Sequence, residues 1–177
     1  LGMIPYQEYD GTAEALDSLS RVTRQHINVA EVERLTDPVP PLPIEEAQEP
    51  PSEPLSPKVK IGVIQDTAFQ FYYPENLEAL QLHGAELVAI NALEDERLPV
   101  LDGLYIGGGF PETSAARLAE NSSFRLSVKA AADAGLPIYA ECGGLIYLGR
   151  ELIIDEQRYP LAGVFDVVFG MSKKPQA

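Results

Sequence analysis

An α/β fold, with a mostly parallel sheet flanked by helices on both faces, is the class this sequence predicts. Three observations lead there. From Lys58 onward, short apolar runs alternate with stretches of helical periodicity, the pattern of βαβ units. The runs are almost continuously apolar, as in VKIGVI at 59–64, which suits strands covered on both faces. Helix starts and stops fall between them, Pro74 opening one segment and Gly84 and Gly135 ending two.

The chain opens on LGMIP at 1–5, an apolar start so abrupt that a piece of a longer polypeptide, cut at both ends, is expected. Thr12 to His26 carries Ala15, Leu16, Leu19 and Val22 at near-helical spacing. Asn28 and Glu31 form a capping-box pattern that should open a second helix ending near Leu35. Two short helices cannot bury a core alone, so they need a partner surface. His26 closes the first helix, where the helix dipole favours a cation. Residues 38–57 hold 8 of the 15 prolines and four glutamates with no basic residue, the composition of a semi-rigid linker. A helical segment at 1–37, a linker at 38–57 and an α/β domain at 58–177 are therefore expected.

Within that domain, strands are expected at 59–64, 85–90 (AELVAI), 101–106 (LDGLYI) and 136–140 (LPIYA). Helices are expected at 74–83 and from Asn121 or Ser122 to about Ala134. Ligands of such sheets sit beyond the carboxyl ends of the strands, and three stretches lie there. In Asp66 to Asn76 (DTAFQFYYPEN), four aromatics crowd a loop beside carboxylates and amides. They are either core or an exposed face for a large flat ligand or another domain. Gly107 to Glu112 (GGGFPE) lacks both the dinucleotide fingerprint and the P-loop lysine. It is either a plain turn or a row of backbone N–H groups for an oxyanion. The third stretch, LPIYAECGGLIYLG at 136–149, reads as strand, tight turn and immediate helix with Cys142 at the tip. That is the layout of a nucleophile elbow. Small residues let the turn close, the helix start favours a thiolate, and the Gly143 N–H can donate to an oxyanion. The competing reading is a small buried hydrophobe.

Composition narrows the classes. With 177 residues, 45% of them hydrophobic, there is room for one ordinary domain plus appendages. The net charge of -14 includes -8 within residues 1–56, so no basic footprint for nucleic acid exists. No apolar run approaches the roughly 18 residues of a membrane span, and no signal peptide is visible. A single cysteine permits no internal disulfide, which suits a reducing, cytoplasmic setting.

KIGVIQDTAFQFYYPENLEAL, LDGLYIGGGFPE and AGLPIYAECGGLIYLG, in that order, resemble the glutamine amidotransferase domain of the cobyrinic acid a,c-diamide synthase family. The likeness spans about residues 59–165, and residues 1–36 look like the last part of that family's ATP-dependent synthetase domain. It implies a glutamine amidotransferase-like, flavodoxin-like fold, here truncated. It further implies that Cys142 attacks the glutamine carboxamide and forms a glutamyl thioester. Gly143, with Gly108 and Gly109 of the Gly107–Gly109 run, would hold the oxyanion. Ammonia so released would amidate the a and c acetate side chains of a cobalamin precursor. ATP and magnesium would be bound in the synthetase portion, leaving no cofactor or metal in these residues. Glutamine and a tetrapyrrole, met through that portion, are the implied partners, and a homodimer is left open. Phe71, Tyr72, Tyr73, Glu75 and Asn76 would form an acceptor or domain interface.

In that family the general base is a histidine well downstream of the cysteine. No histidine follows Cys142, and His83 matches no motif, so the 177-residue chain is expected to be inactive by itself. Three other readings stand beside this one. The same domain acting on sirohaem or nickel-sirohydrochlorin is one, and an inactive glutaminase-like binding module is another. The last is a cysteine-based stress or redox protein of related fold, in which an acidic residue also precedes such a cysteine.

Overall fold

The computed structural model describes residues 11–36, 39–40 and 59–171. The chain divides into two compact units, Leu1–Glu49 and Pro50–Ala177. The start at 1–5 and nearly all of the 38–57 stretch lie outside the described residues.

The first unit holds α1 (Thr12–His26) and α2 (Val29–Thr36). Asn28 Oδ1 accepts the Glu31 N–H at 3.2 Å, which is one half of a capping box. The other half is missing because the Glu31 carboxylate turns to Arg34, at 2.6 and 2.9 Å. That hydrogen bond holds the Glu31 carboxyl below its ordinary range. The apolar stripe of Leu16, Leu19, Val22, Val32 and Leu35 is exposed.

In the second unit, β1 (Val59–Ile64), β3 (Ala85–Ile90), β4 (Gly103–Ile106) and β6 (Ile138–Ala140) form a four-stranded sheet in the order β3-β1-β4-β6. Every pairing in it is parallel. The crossovers hold α3 (Pro74–Leu82) between β1 and β3, and α4 (Ala115–Glu120) and α5 (Ser122–Asp133) between β4 and β6. One sheet face, with Ile64, Leu104 and Ile106, packs on Leu118, Phe124 and Val128 of α4 and α5. The other lies toward α3 and keeps a groove of about 570 Å³ lined by Ile61, Leu80, His83, Tyr105, Ile138 and Tyr139. Pro74 sits in the first turn of α3, Asn121 caps α5 by accepting from the Phe124 N–H, and Gly84 and Gly135 stop the two helices with φ of 89° and 91°.

Several expectations need correction. The strand expected at 101–106 begins at Gly103, because Asp102 bonds Lys60 through both its own N–H and its carboxylate instead of extending the ladder evenly. The strand expected at 136–140 begins at Ile138, since Pro137 has no N–H to give and only its carbonyl is paired, to the Leu104 N–H. The aromatic stretch read as a loop contains a strand, β2 (Phe69–Phe71), which pairs antiparallel with β5 (Gly108–Gly109). Beyond Cys142 come α6 (Gly143–Tyr147) and a three-stranded sheet of β7 (Glu151–Ile154), β8 (Gln157–Pro160) and β9 (Val168–Gly170) in the order β8-β7-β9. The reading of the sequence anticipated neither that sheet nor α4.

Candidate active site

The site grows from the end of β6. Glu141 N–H bonds the Ile106 carbonyl at 3.0 Å, so the chain leaves the sheet one residue before Cys142. Cys142 then takes φ 46° and ψ -108°, a conformation that costs a non-glycine residue about 1–3 kcal/mol and persists only where neighbours over-determine it. Helix α6 follows at once, its first turn secured by Ile146 N–H on the Cys142 carbonyl. The cysteine is exposed, unlike a small hydrophobe held in place for packing alone. A sharp strand-to-helix turn that presents a side chain outward is the geometry of a nucleophile elbow.

Glycines close the space beneath it. A Cβ on Gly108 would lie 3.7 Å from the Cys142 Cβ, so the glycine run and the cysteine face each other. At Gly109 a Cβ would stand 2.0 Å from the Ala68 carbonyl oxygen, and at Gly144 2.5 Å from that of Ile106; neither position has room for a side chain. Gly144 N–H bonds both the Gly107 carbonyl, at 3.1 Å, and the Glu141 carbonyl, at 2.7 Å. As the first residue of α6, Gly143 has an N–H with no intrahelical acceptor. Gly107 differs from its neighbours. Its N–H is bound by the Tyr72 hydroxyl at 2.8 Å and its carbonyl by Gly144, so within the expected glycine run it serves the frame and not an oxyanion.

The aromatic segment is split by the fold. Phe69 is core, while Phe71 and Tyr73 are exposed. Phe71 meets Phe110 edge-on with centroids 5.2 Å apart, and its Cβ is 3.3 Å from the Gly108 Cβ position, so this pair borders the cysteine site. Tyr72 turns inward, and its hydroxyl also donates to the Ile64 carbonyl. Burial pushes its phenol well above the ordinary value. Glu75 is exposed on the first turn of α3. Asn76, in the first turn of α3, lines the groove together with Tyr105, whose hydroxyl donates to Glu141 Oε1 at 2.9 Å. Burial first, and then the Glu141 bond, raise the Tyr105 phenol.

Sequence reasoning missed Tyr105, and it named Tyr72 only as part of an acceptor or domain interface. Tyr105 and Tyr72 act through partners 36 and 35 residues away, which no local pattern reveals. Asp66 was legible as an Asx turn after a strand: its carboxylate accepts from Ala68, Phe69 and Ala92 N–H groups at 2.8, 3.1 and 2.8 Å. His83 caps α3 with Nδ1 2.8 Å from the Ala79 carbonyl, and it shares the groove with Gly103, the first residue of β4, and Pro137, just before β6. It therefore lies at the amino end of the sheet, and Cys142 at the carboxyl end. Among the described residues no cluster of His, Cys, Asp or Glu could hold a metal ion, and no helix is long and apolar enough to cross a membrane.

A parallel sheet with a cysteine on a strand-to-helix elbow, set against glycines from the neighbouring strand, defines an α/β domain of the nucleophile-elbow type. The model of the CobB/CobQ-like glutamine amidotransferase domain matches residues 60–177, and the chain belongs to that family. Similar relatives include several cobyrinate a,c-diamide synthases. That of Caldanaerobacter subterraneus subsp. tengcongensis is 43% identical over 99% of this chain, and that of Archaeoglobus fulgidus 39% over 100%. That of Magnetococcus marinus is 38% identical over 99%. The chain spans 38% of the length of each. A solved structure described as a candidate peptidase E of Listeria monocytogenes EGD-e covers 64% of this chain and 66% of its own, with a TM-score of 0.51 and 14% identity. It is similar in fold alone.

Proposed function

We propose that this chain is the glutamine-handling part of an ATP-dependent ligase that amidates the a and c acetates of cobyrinic acid, with Cys142 as nucleophile. The observation that carries the reading is the exposed Cys142 at φ 46°, 3.7 Å from the Gly108 Cβ position. In this reading Sγ attacks the glutamine carboxamide carbon. The oxyanion is received by the Gly143 N–H with Gly108 and Gly109 at its side. Collapse forms the thioester and expels ammonia, and water then releases glutamate. ATP, magnesium and the tetrapyrrole would be bound by other parts of the polypeptide, and no residue of this chain is assigned to them. The shared name of the relatives and their length support that division, and a reducing compartment fits the lone thiol.

The test separates the glutamine step from the ligase step. In the complete synthase, Cys142→Ala should abolish glutamine-dependent amidation of cobyrinic acid and leave amidation from added ammonia intact. Retained glutamine-dependent activity would remove Cys142 from the chemistry. A complete enzyme that amidates sirohydrochlorin-type acceptors and not cobyrinic acid would leave the site reading standing and change the substrate.

A further inference from the structure

We infer that the Tyr72 hydroxyl is a positioning group, inserted as a rung of the β1–β4 ladder, that sets the glycine run against Cys142. The pairing of β1 with β4 runs Ile61↔Gly103, Gly62↔Leu104, Val63↔Tyr105. In a parallel ladder each residue bonds to the two residues flanking its partner. One more step of the same register would therefore place the Gly107 N–H on the Ile64 carbonyl. The Tyr72 hydroxyl occupies that rung instead, donating to Ile64 and accepting from Gly107 at 2.8 Å. Two hydrogen bonds in series now span what one would have spanned, so the chain after β4 parts from β1. It leaves the parallel sheet and pairs with β2 through Phe69↔Gly109 and Phe71↔Gly108. That detour brings Gly108 under the Cys142 Cβ and the Gly107 carbonyl to the Gly144 N–H.

Tyr72 follows directly on the strand that receives the glycines, so one segment both parts the ladder and takes up the released chain. Its ring is held edge-on to Tyr105 with centroids 5.1 Å apart, and Tyr105 in turn holds Glu141, next to the nucleophile. The hydroxyl touches no reacting atom in this arrangement. It acts through Gly107, on the placing of the Gly108 and Gly109 amides.

The inference rests on Cys142 accepting an acyl group, but its test needs no glutamine. With p-nitrophenyl acetate, Sγ bonds the acetyl carbon and p-nitrophenolate departs with the electron pair, through an oxyanion. With iodoacetamide, Sγ displaces iodide and no oxyanion forms. In the 177-residue chain, Tyr72→Phe should slow acylation of Cys142 about tenfold or more while alkylation stays within about twofold. Equal slowing of both reactions, which a general loosening of the fold would give, overturns the inference, as does an unchanged ratio. Should the variant not fold, or the native chain not be acylated, hydrogen exchange of the native Gly107 amide decides. Protection equal to the β4 ladder amides is expected, and exchange at the rate of an open loop amide overturns the assignment. Failure of the native chain to be acylated would count against the acyl-transfer reading alone.

Discussion

Tyr147 shows how much one oxygen atom can matter in this core. Its side chain is among the largest that are fully buried, and its ring meets Phe69 edge-on at 5.4 Å. Its hydroxyl has no hydrogen-bond partner among the described residues, and burial pushes its phenol well above the ordinary value. A buried donor without a partner destabilises the folded state by about 1–3 kcal/mol. Tyr147→Phe keeps the ring and removes the orphan, so urea unfolding should show stability raised by about 1 kcal/mol with an unchanged slope. A loss of stability would reveal a partner for the hydroxyl. At this scale the sequence is a good guide only where the chemistry is local. The Cys142 turn could be read from YAECGG because strand, turn and helix are consecutive. The Tyr72 hydroxyl could not, since its role depends on which two backbone groups the sheet brings to it.

At the scale of elements, the β2–β5 ribbon links the core to the site, and Asp66 holds the turn that starts it. Burial raises the Asp66 carboxyl above the ordinary value of 3.8, against the pull of its three N–H donors. The folded chain thus binds this proton more tightly than the unfolded chain does. The contribution is fully present below the unfolded value and is lost as pH rises through the folded one. The urea midpoint of the native chain should therefore gain on that of Asp66→Asn as pH is lowered from neutrality toward the unfolded value. A gap that narrows in the same direction would mean the three N–H bonds outweigh the burial. The ribbon was hidden in the sequence because Gly108–Gly109 carries no strand propensity; it pairs only because Phe69–Phe71 is there to meet it. The parallel strands were legible because β1 and β3 are apolar enough to announce themselves. The starts of β4 and β6 were not, since Asp102, through two hydrogen bonds to Lys60, and Pro137, through one to Leu104, settle them. The later three-stranded sheet went unread because β8, with QRYP, has almost nothing apolar to display.

For the chain as a whole, nucleophile and base act as a unit when a thiol must expel the poor leaving group of a carboxamide. Within the α/β unit the one histidine, His83, sits at the amino end of the sheet, away from Cys142. These 177 residues by themselves should release no more ammonia from glutamine than their Cys142→Ala counterpart, as a coupled glutamate dehydrogenase assay would read. Clear cysteine-dependent release would show that a different group takes the thiol proton. The backbone at Cys142 bears on the fate of the entire polypeptide. Glycine tolerates a φ of 46° at less cost than cysteine does. Exchange of Cys142 for glycine should therefore relieve backbone strain at that bend while removing the thiol.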